Sequence, residues 1–470
     1  MPLVPPRLVA ALAATTVGLG SLAAVAPPAT ARAAAPTPGG ESAGDPLFPS
    51  MGNSGYQVRH YAIRLAFAPA TGRIEAAASV FARARHPLSS YSLDLQGLHV
   101  RSVRVDGHPA RFERHGHKLV VTPRRAVRGR FTTSVAYAGR PTTHIDPDGS
   151  SEGWVPTDDG ATVVSEPVGA MTWFPDNNTP RDKATFAVRV TAPSALAVAG
   201  NGELVRRHTD AGRTTWTWRQ GHRMAPYLAM VSIGRYSVHH STMRTSTGRR
   251  LPVWSFVDPR YGSQAAVRRL VPTAVRFLER RYGRYPFSST GVVIDHVGVG
   301  YALETQNRPV FDGAPDPVTV VHELAHQWYG DSVTLTRWTD LWLHEGFATY
   351  SEDLWNAAHG GPSPARAFRE RYDANPASSS LWSPAPARFS DPADMFGAPV
   401  YERGAMTLQV LRSRIGTADF FTVMRAWAAA HREGHGTTAQ FVALAERVSG
   451  QALGTLFHDW LYVAARPDGY

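Results

Sequence analysis

Asp316-Pro317-Val318-Thr319-Val320-Val321-His322-Glu323-Leu324-Ala325-His326-Gln327-Trp328-Tyr329-Gly330 decides how the chain is read. Asp316 can cap a helix, Pro317 suits its first position, and Gly330 stands just past its end. Val318, Val320, Val321, Leu324 and Trp328 give that helix an apolar face to bury. His322 and His326, four apart, sit one above the other, so both imidazoles can reach one ion. Glu323 lies close enough to touch a water on that ion without being a ligand. The same spacing also suits two hydrogen-bonded core histidines, so the pair needs a third partner before it means metal.

A catalytic zinc takes three protein ligands and keeps one position open. The next helical stretch, Trp342-Leu343-His344-Glu345-Gly346-Phe347-Ala348, places Glu345 nineteen positions after His326. An acid among Trp342, Leu343, Phe347 and Tyr350 is expensive to bury unpaired, which makes Glu345 the expected third ligand rather than a solvated helix residue. The zinc-protease class with a third histidine six residues after the second is excluded, because Ser332 stands there. One Zn²⁺ per chain, on His322, His326 and Glu345, is the expected cofactor.

Composition narrows the chemistry further. Cysteine is absent, which removes thiol nucleophiles, disulfides and thiolate metal sites. Of 470 residues 43% are hydrophobic and 19% charged, ordinary globular usage that excludes a disordered or fibrous chain. The formal charge of +11 is almost all arginine, Lys118 and Lys183 being the two lysines. Those arginines are scattered singly, so no nucleic-acid partner is expected. At the N-terminus come Arg7, an apolar stretch from Leu8 to Ala26, Pro27-Pro28 and Ala31-Arg32-Ala33, the order of a secretory signal. Cleavage of a signal over residues 1–33 is the expectation, with an uncleaved anchor as the alternative. No second apolar span follows, so the mature chain is expected to be secreted without stable membrane insertion.

Residues 34–50, rich in Ala, Pro, Gly and Ser, read as a flexible leader. From Tyr56 the period is two: Tyr61, Ile63, Leu65 and Phe67 alternate with other residues, and a second strand runs from Ile74 to Phe81. Short runs of the same kind recur as far as Tyr227 to Ile233, separated by Gly, Pro and Asp-Gly signals. Near Pro252 the period changes. Helices are predicted from Gln264 to Arg281 with Ser263 as cap, from Trp338 to Ala358, from Val400 to Ile415, from Phe420 to His431, from Ala439 to Val448 and from Leu453 to Tyr462. The expected fold is α+β and multidomain: an antiparallel β saddle or sandwich over 51–248, then a mostly helical domain over 249–470.

These residues resemble the zinc-dependent aminopeptidases of the gluzincin class, the family of aminopeptidase N and the leukotriene-hydrolysing aminopeptidases. Gly300-Tyr301-Ala302-Leu303-Glu304-Thr305 looks like the family's Gly-Ala-Met-Glu-Asn loop. Tyr401-Glu402-Arg403-Gly404-Ala405 resembles the segment that carries the catalytic tyrosine. Met224-Ala225-Pro226-Tyr227-Leu228 resembles a strand motif of the saddle domain, and Glu166-Pro167 falls where the family has a second amine-binding Glu or Gln. The resemblance implies a thermolysin-like catalytic domain that hydrolyses the N-terminal bond of peptides through a zinc-activated water. It makes Glu323 the base and Tyr401 the oxyanion donor, and puts Glu304, Glu166 and Ala302 against a substrate with a free N-terminus. On the residues alone, Tyr401 also suits helix packing, and Glu304 and Glu166 also suit solvated positions.

Three positions depart from the family pattern: Tyr301 and Thr305 in the loop, and His344 beside the third ligand. The sequence ends about 70 residues after Tyr401, so the expectation is the short, two-domain form without a helical cap over the cleft. Two other readings stay open: a zinc endopeptidase of broader specificity, and an inactive peptide-binding relative. Retention of Glu323 beside both histidines speaks against the second, since a pure binding site has no need of a base.

Overall fold

Alternation along the first long strand builds the N-terminal part of the protein. The computed structural model describes residues 11–13 and 35–468, so the expected signal over 1–33 lies outside it save for 11–13. In Tyr56–Ala68 the side chains of Tyr61, Ile63, Leu65 and Phe67 are buried, while Arg59 and Arg64 face solvent. This strand pairs antiparallel with Arg73–Ala84 and parallel with Ala184–Pro193, inside an eight-stranded sheet. That sheet is otherwise antiparallel. Tyr61 stacks on Phe186 at 4.8 Å and meets Phe174 edge-on at 5.4 Å, the contacts of an aromatic core. A four-stranded and a five-stranded sheet complete this β-rich part. The expected strand from Tyr227 to Ile233 is instead a 3₁₀ turn, Pro226–Leu228, followed by the strand Val231–Gly234, because Pro226 lacks the N–H a ladder needs.

Residues 34–50 are not a loose leader along their described length. Thr37–Pro38 pair with the strand Leu88–Asp94, Leu47 and Phe48 are buried, and Asp45 accepts the Trp338 N–H at 3.0 Å. Low periodicity concealed an anchor made of single residues.

A second five-stranded sheet belongs with the helices. Its order is Ser237–Arg244, Arg250–Val257, Thr290–Asp295, Val310–Asp312 and Ala302–Leu303. The first two strands form a hairpin across residue 248, so strands on both sides of that position share one sheet. The helices are α1 (Ala265–Tyr282), α2 (Pro317–His326), α3 (Trp342–Ala358), α4 (Pro364–Ala374), α5 (Gly404–Ile415), α6 (Thr417–Ala430), α7 (Thr438–Ser449) and α8 (Gly454–Leu461). α1 opens on Gln264 in the left-handed region rather than on a Ser263 cap, and α3 is preceded by a separate 3₁₀ turn at Trp338–Asp340. α4 had not been predicted. The β-rich domain followed by a helical domain is the expected architecture. Among the described residues no helix is long and apolar enough to cross a membrane.

Candidate metal centre and substrate cavity

α2 starts where its sequence says. The Asp316 carboxylate accepts the Val318 and Thr319 N–H groups at 2.7 and 3.1 Å, Pro317 takes the first position, and Val320, Val321 and Leu324 are buried. His322 and His326 therefore project from consecutive turns toward α3, whose first turn carries Glu345. His322 Nε2 lies 3.3 Å and His326 Nε2 3.4 Å from Glu345 Oε2. Two ligands ~2.0–2.1 Å from one ion at the tetrahedral angle stand ~3.3–3.4 Å apart, so this donor set fits a tetrahedral zinc. The far side of each ring is already held. His322 Nδ1 pairs with Glu352 Oε1 at 2.6 Å, and His326 Nδ1 with the Tyr329 carbonyl at 3.1 Å. Such partners fix the tautomer that turns Nε2 toward a metal. Glu352 is thus the acid that stands behind His322. Asp331 is fully buried, but its carboxylate bonds neither ring; its N–H caps the His326 carbonyl at 2.9 Å.

The site is electrostatically lopsided. Burial opposes charge on His326, but Glu345 and Glu304 outweigh it and lift the imidazole to about 9. Burial likewise pushes Glu345 up, and the two histidines more than reverse this, holding its carboxyl below the usual range. Burial raises Glu323 to about 7 against the pull of the histidines. Glu166, Glu304, Glu323, Glu345 and Glu352 surround two imidazoles in a cavity of about 680 Å³. A divalent cation and a second positive group would balance that excess of carboxylates.

The second five-stranded sheet ends in Ala302–Leu303, paired with Val310–Asp312, and Glu304 follows at once, its carboxylate within 4.8 Å of ligand atoms of Glu323 and His326. Glu304 and Glu166 are almost fully buried, and Oε1 of each has no hydrogen-bond partner. Burial, then their mutual repulsion, pushes the Glu166 carboxyl well up; burial also raises Glu304. Gln327, the residue after His326, donates to the Glu304 carbonyl at 3.0 Å and accepts the Asn307 N–H at 2.8 Å. It ties the loop to the histidine helix, a role the sequence reading missed because one glutamine after a motif carries no periodic signal.

Tyr401 also lines the cavity, its ring parallel to His322 at 6.1 Å. It sits on a π-helical turn, Pro399–Arg403, before α5 rather than within the α-helix expected from Val400. Such turns often aim functional side chains. α3 and α5 meet through glycines next to these residues: a Cβ on Gly346 would lie 2.7 Å from the Gly404 carbonyl carbon. Glu345 and Tyr401 are therefore set by a crossing that has no room for a side chain.

The three departures are absorbed locally. Tyr301 donates to the Ser151 carbonyl at 2.8 Å, and Thr305 to the Arg308 carbonyl at 2.5 Å. His344 Nε2 accepts the Leu335 N–H at 3.0 Å, and burial, with His326 adding, pushes its imidazole down to about 3, so it is a neutral structural residue.

A β-rich domain joined to a helical one, with a His-His-Glu donor set and an adjoining glutamate in the cleft, is the architecture of a zinc metallopeptidase. Residues 57–228 match the Peptidase M1 N-terminal domain and 313–460 the Peptidase family M1 domain. The chain belongs to peptidase family M1. It resembles the crystal structure of the M1 zinc metallopeptidase from Deinococcus radiodurans with a TM-score of 0.81 and 28% identity, over 91% of this chain and 98% of that one. A mutant of that protein, bound to a Tyr-Ser-Ala substrate, matches with a TM-score of 0.82 and 28% identity over the same 91% and 98%. Aminopeptidase N of Streptomyces lividans is 26% identical over 341 residues, 66% of this chain and 39% of that protein. Aminopeptidase M1-A of Oryza sativa subsp. japonica is 27% identical over 328 residues, 64% of this chain and 36% of its own length. The chain thus spans under two fifths of these two curated relatives.

Proposed function

We propose that this protein is an exported zinc aminopeptidase that removes the N-terminal residue of peptides. The observation that carries the reading is the placement of two buried carboxylates with unpartnered oxygens, Glu304 and Glu166, in the same cavity as the His322, His326 and Glu345 donor set. In the proposal those three residues hold the zinc. Zinc, when bound, supplies Lewis acidity toward the scissile carbonyl and toward a water. Glu323, which lines the cavity next to His322, accepts the water's proton and returns it to the leaving amine. The Tyr401 hydroxyl donates to the oxyanion without adding charge. Glu304 and Glu166 bind the substrate ammonium by charge-assisted hydrogen bonds, and Ala302 on the edge strand lies along the substrate. Fixing the ammonium fixes which bond is cut. The Tyr-Ser-Ala complex of the Deinococcus relative supports peptides as the substrate class.

Zinc dependence is tested by assaying a panel of aminoacyl fluorogenic substrates before and after complete chelation. Activity should vanish with the metal and return with added Zn²⁺. An unchanged rate after chelation contradicts the reading. Export is tested by N-terminal sequencing of protein recovered from the medium, which should begin just after Ala33.

A further inference from the structure

Apart from the cavity carboxylates, the described residues bring one other trio of metal-ligating side chains together: His144, Asp146 and Glu152, whose donor atoms all lie within 4.8 Å of one another. The trio is built by a hairpin. His144 on Thr143–Ile145 stands directly opposite Glu152 on Ser151–Pro156, and Asp146 begins the turn between the strands. The Glu152 side chain is wholly inaccessible and that of Asp146 is 3% exposed. Both Asp146 carboxylate oxygens lack a hydrogen-bond partner, and Glu152 takes the Val168 N–H at 3.2 and 3.1 Å. Buried carboxylates facing one another need either a shared proton or a cation between them.

The histidine favours the cation. Its Nδ1 is engaged by Gln96 Oε1 at 3.1 Å, which fixes the tautomer and leaves the Nε2 lone pair toward the two acids. Nε2 stands 3.8 Å from Asp146 Oδ1 and 4.0 Å from Glu152 Oε1, beyond hydrogen-bond reach. At those separations the lone pair takes no proton from either acid, whereas a cation between the three groups would engage it. The imidazole, 22% exposed, leaves a path from solvent.

We propose that His144, Asp146 and Glu152 form a second divalent-metal site, separate from the catalytic one, for a transition cation with zinc as first candidate. One imidazole and two carboxylates suit zinc, and waters can complete its coordination. The site stands behind a wall of the substrate cavity: Asp148 and Ser150 of the same turn line that cavity, and the Ser151 carbonyl holds Tyr301. A bound ion would tie the two strands together where they support this wall.

The test is stoichiometry. The full, zinc-loaded chain is dialysed against buffered micromolar Zn²⁺ and its metal counted by elemental analysis, for wild type, His144→Ala and Asp146→Asn. Wild type should bind one more equivalent than either variant, and each variant should weaken that second site at least tenfold while keeping its circular dichroism spectrum and peptidase activity. His144→Ala removes a partly exposed side chain and decides the question even where Asp146→Asn misfolds. A wild type holding a single equivalent, or a second equivalent persisting in a folded variant, overturns the proposal.

Discussion

Glu323 and Glu345 have the same chemistry, and the proposal that one is the base and the other a metal ligand rests on the surroundings that separate them. Glu345 Oε2 stands within 3.4 Å of both imidazole Nε2 atoms, whereas Glu323 lines the cavity beside His322. Glu323→Gln should therefore keep the zinc content of wild type while abolishing peptide cleavage; a zinc-free variant in elemental analysis would refute the separation. Tyr401 differs from a packing aromatic by one oxygen. Its replacement by Phe should lower kcat by ~100-fold or more with little change in KM, as for the loss of one oxyanion donor. Near-normal turnover would return Tyr401 to packing. Glu304→Ala should damage free-amine substrates far more than N-acetylated ones, because only the former lose a charge-assisted bond. Equal losses on both, read as kcat/KM, would mean that Glu304 holds something other than the ammonium. The residue types at these positions were legible in the sequence because chemistry restricts them. Gln327 and the His144 trio were not, since hydrogen bonds and cross-strand pairing between distant positions leave no local pattern.

At the scale of elements, the proposed active site depends on how α2, α3 and the turn before α5 are held. Caps and periodicity made the start of α2 readable to the residue: Asp316, Pro317 and the buried Val320 and Val321 fall where the sequence puts them, but the helix stops at His326, short of the end expected before Gly330. The start of α5 was not readable, because a π-helical turn differs from an α-helical one by a single hydrogen-bond register. Nor was the α3–α5 crossing, since a glycine in a helix looks like a weak helix former until its neighbour is known. Gly346→Ala places a methyl carbon against the backbone of Gly404 and should cost ~1–3 kcal/mol of stability as the helices shift apart. Thermal unfolding measures that cost. The zinc retained after dialysis should fall with it, because Glu345 is the preceding residue; an unchanged midpoint and zinc content would show that the contact yields without consequence.

Over the whole molecule, a chain with a formal charge of +11 keeps a cavity dominated by carboxylates. The arginines that set the total are spread along the sequence, while the acids converge from distant segments: Glu166 from the β-rich domain, Glu304 from just after the edge strand, and Glu323 and Glu345 from two helices. Composition alone could not reveal this, because net charge records no positions. The change of period near Pro252 did reveal the order of a β-rich part and a helical part, but not the sheet that runs across residue 248, since strand pairing is set by partners in space. What this arrangement most demands is a cationic group beside the proposed metal ligands, against Glu304 and Glu166. The most direct measurement compares kcat/KM of the wild-type enzyme for one peptide with a free N-terminus and for its N-acetylated twin. The expected result is a loss of roughly 30-fold or more on acetylation, the cost of one charge-assisted contact of ~2–3 kcal/mol, with cleavage confined to the first bond of the free peptide. Comparable cleavage of the two peptides, or cleavage at internal bonds, would contradict the aminopeptidase reading.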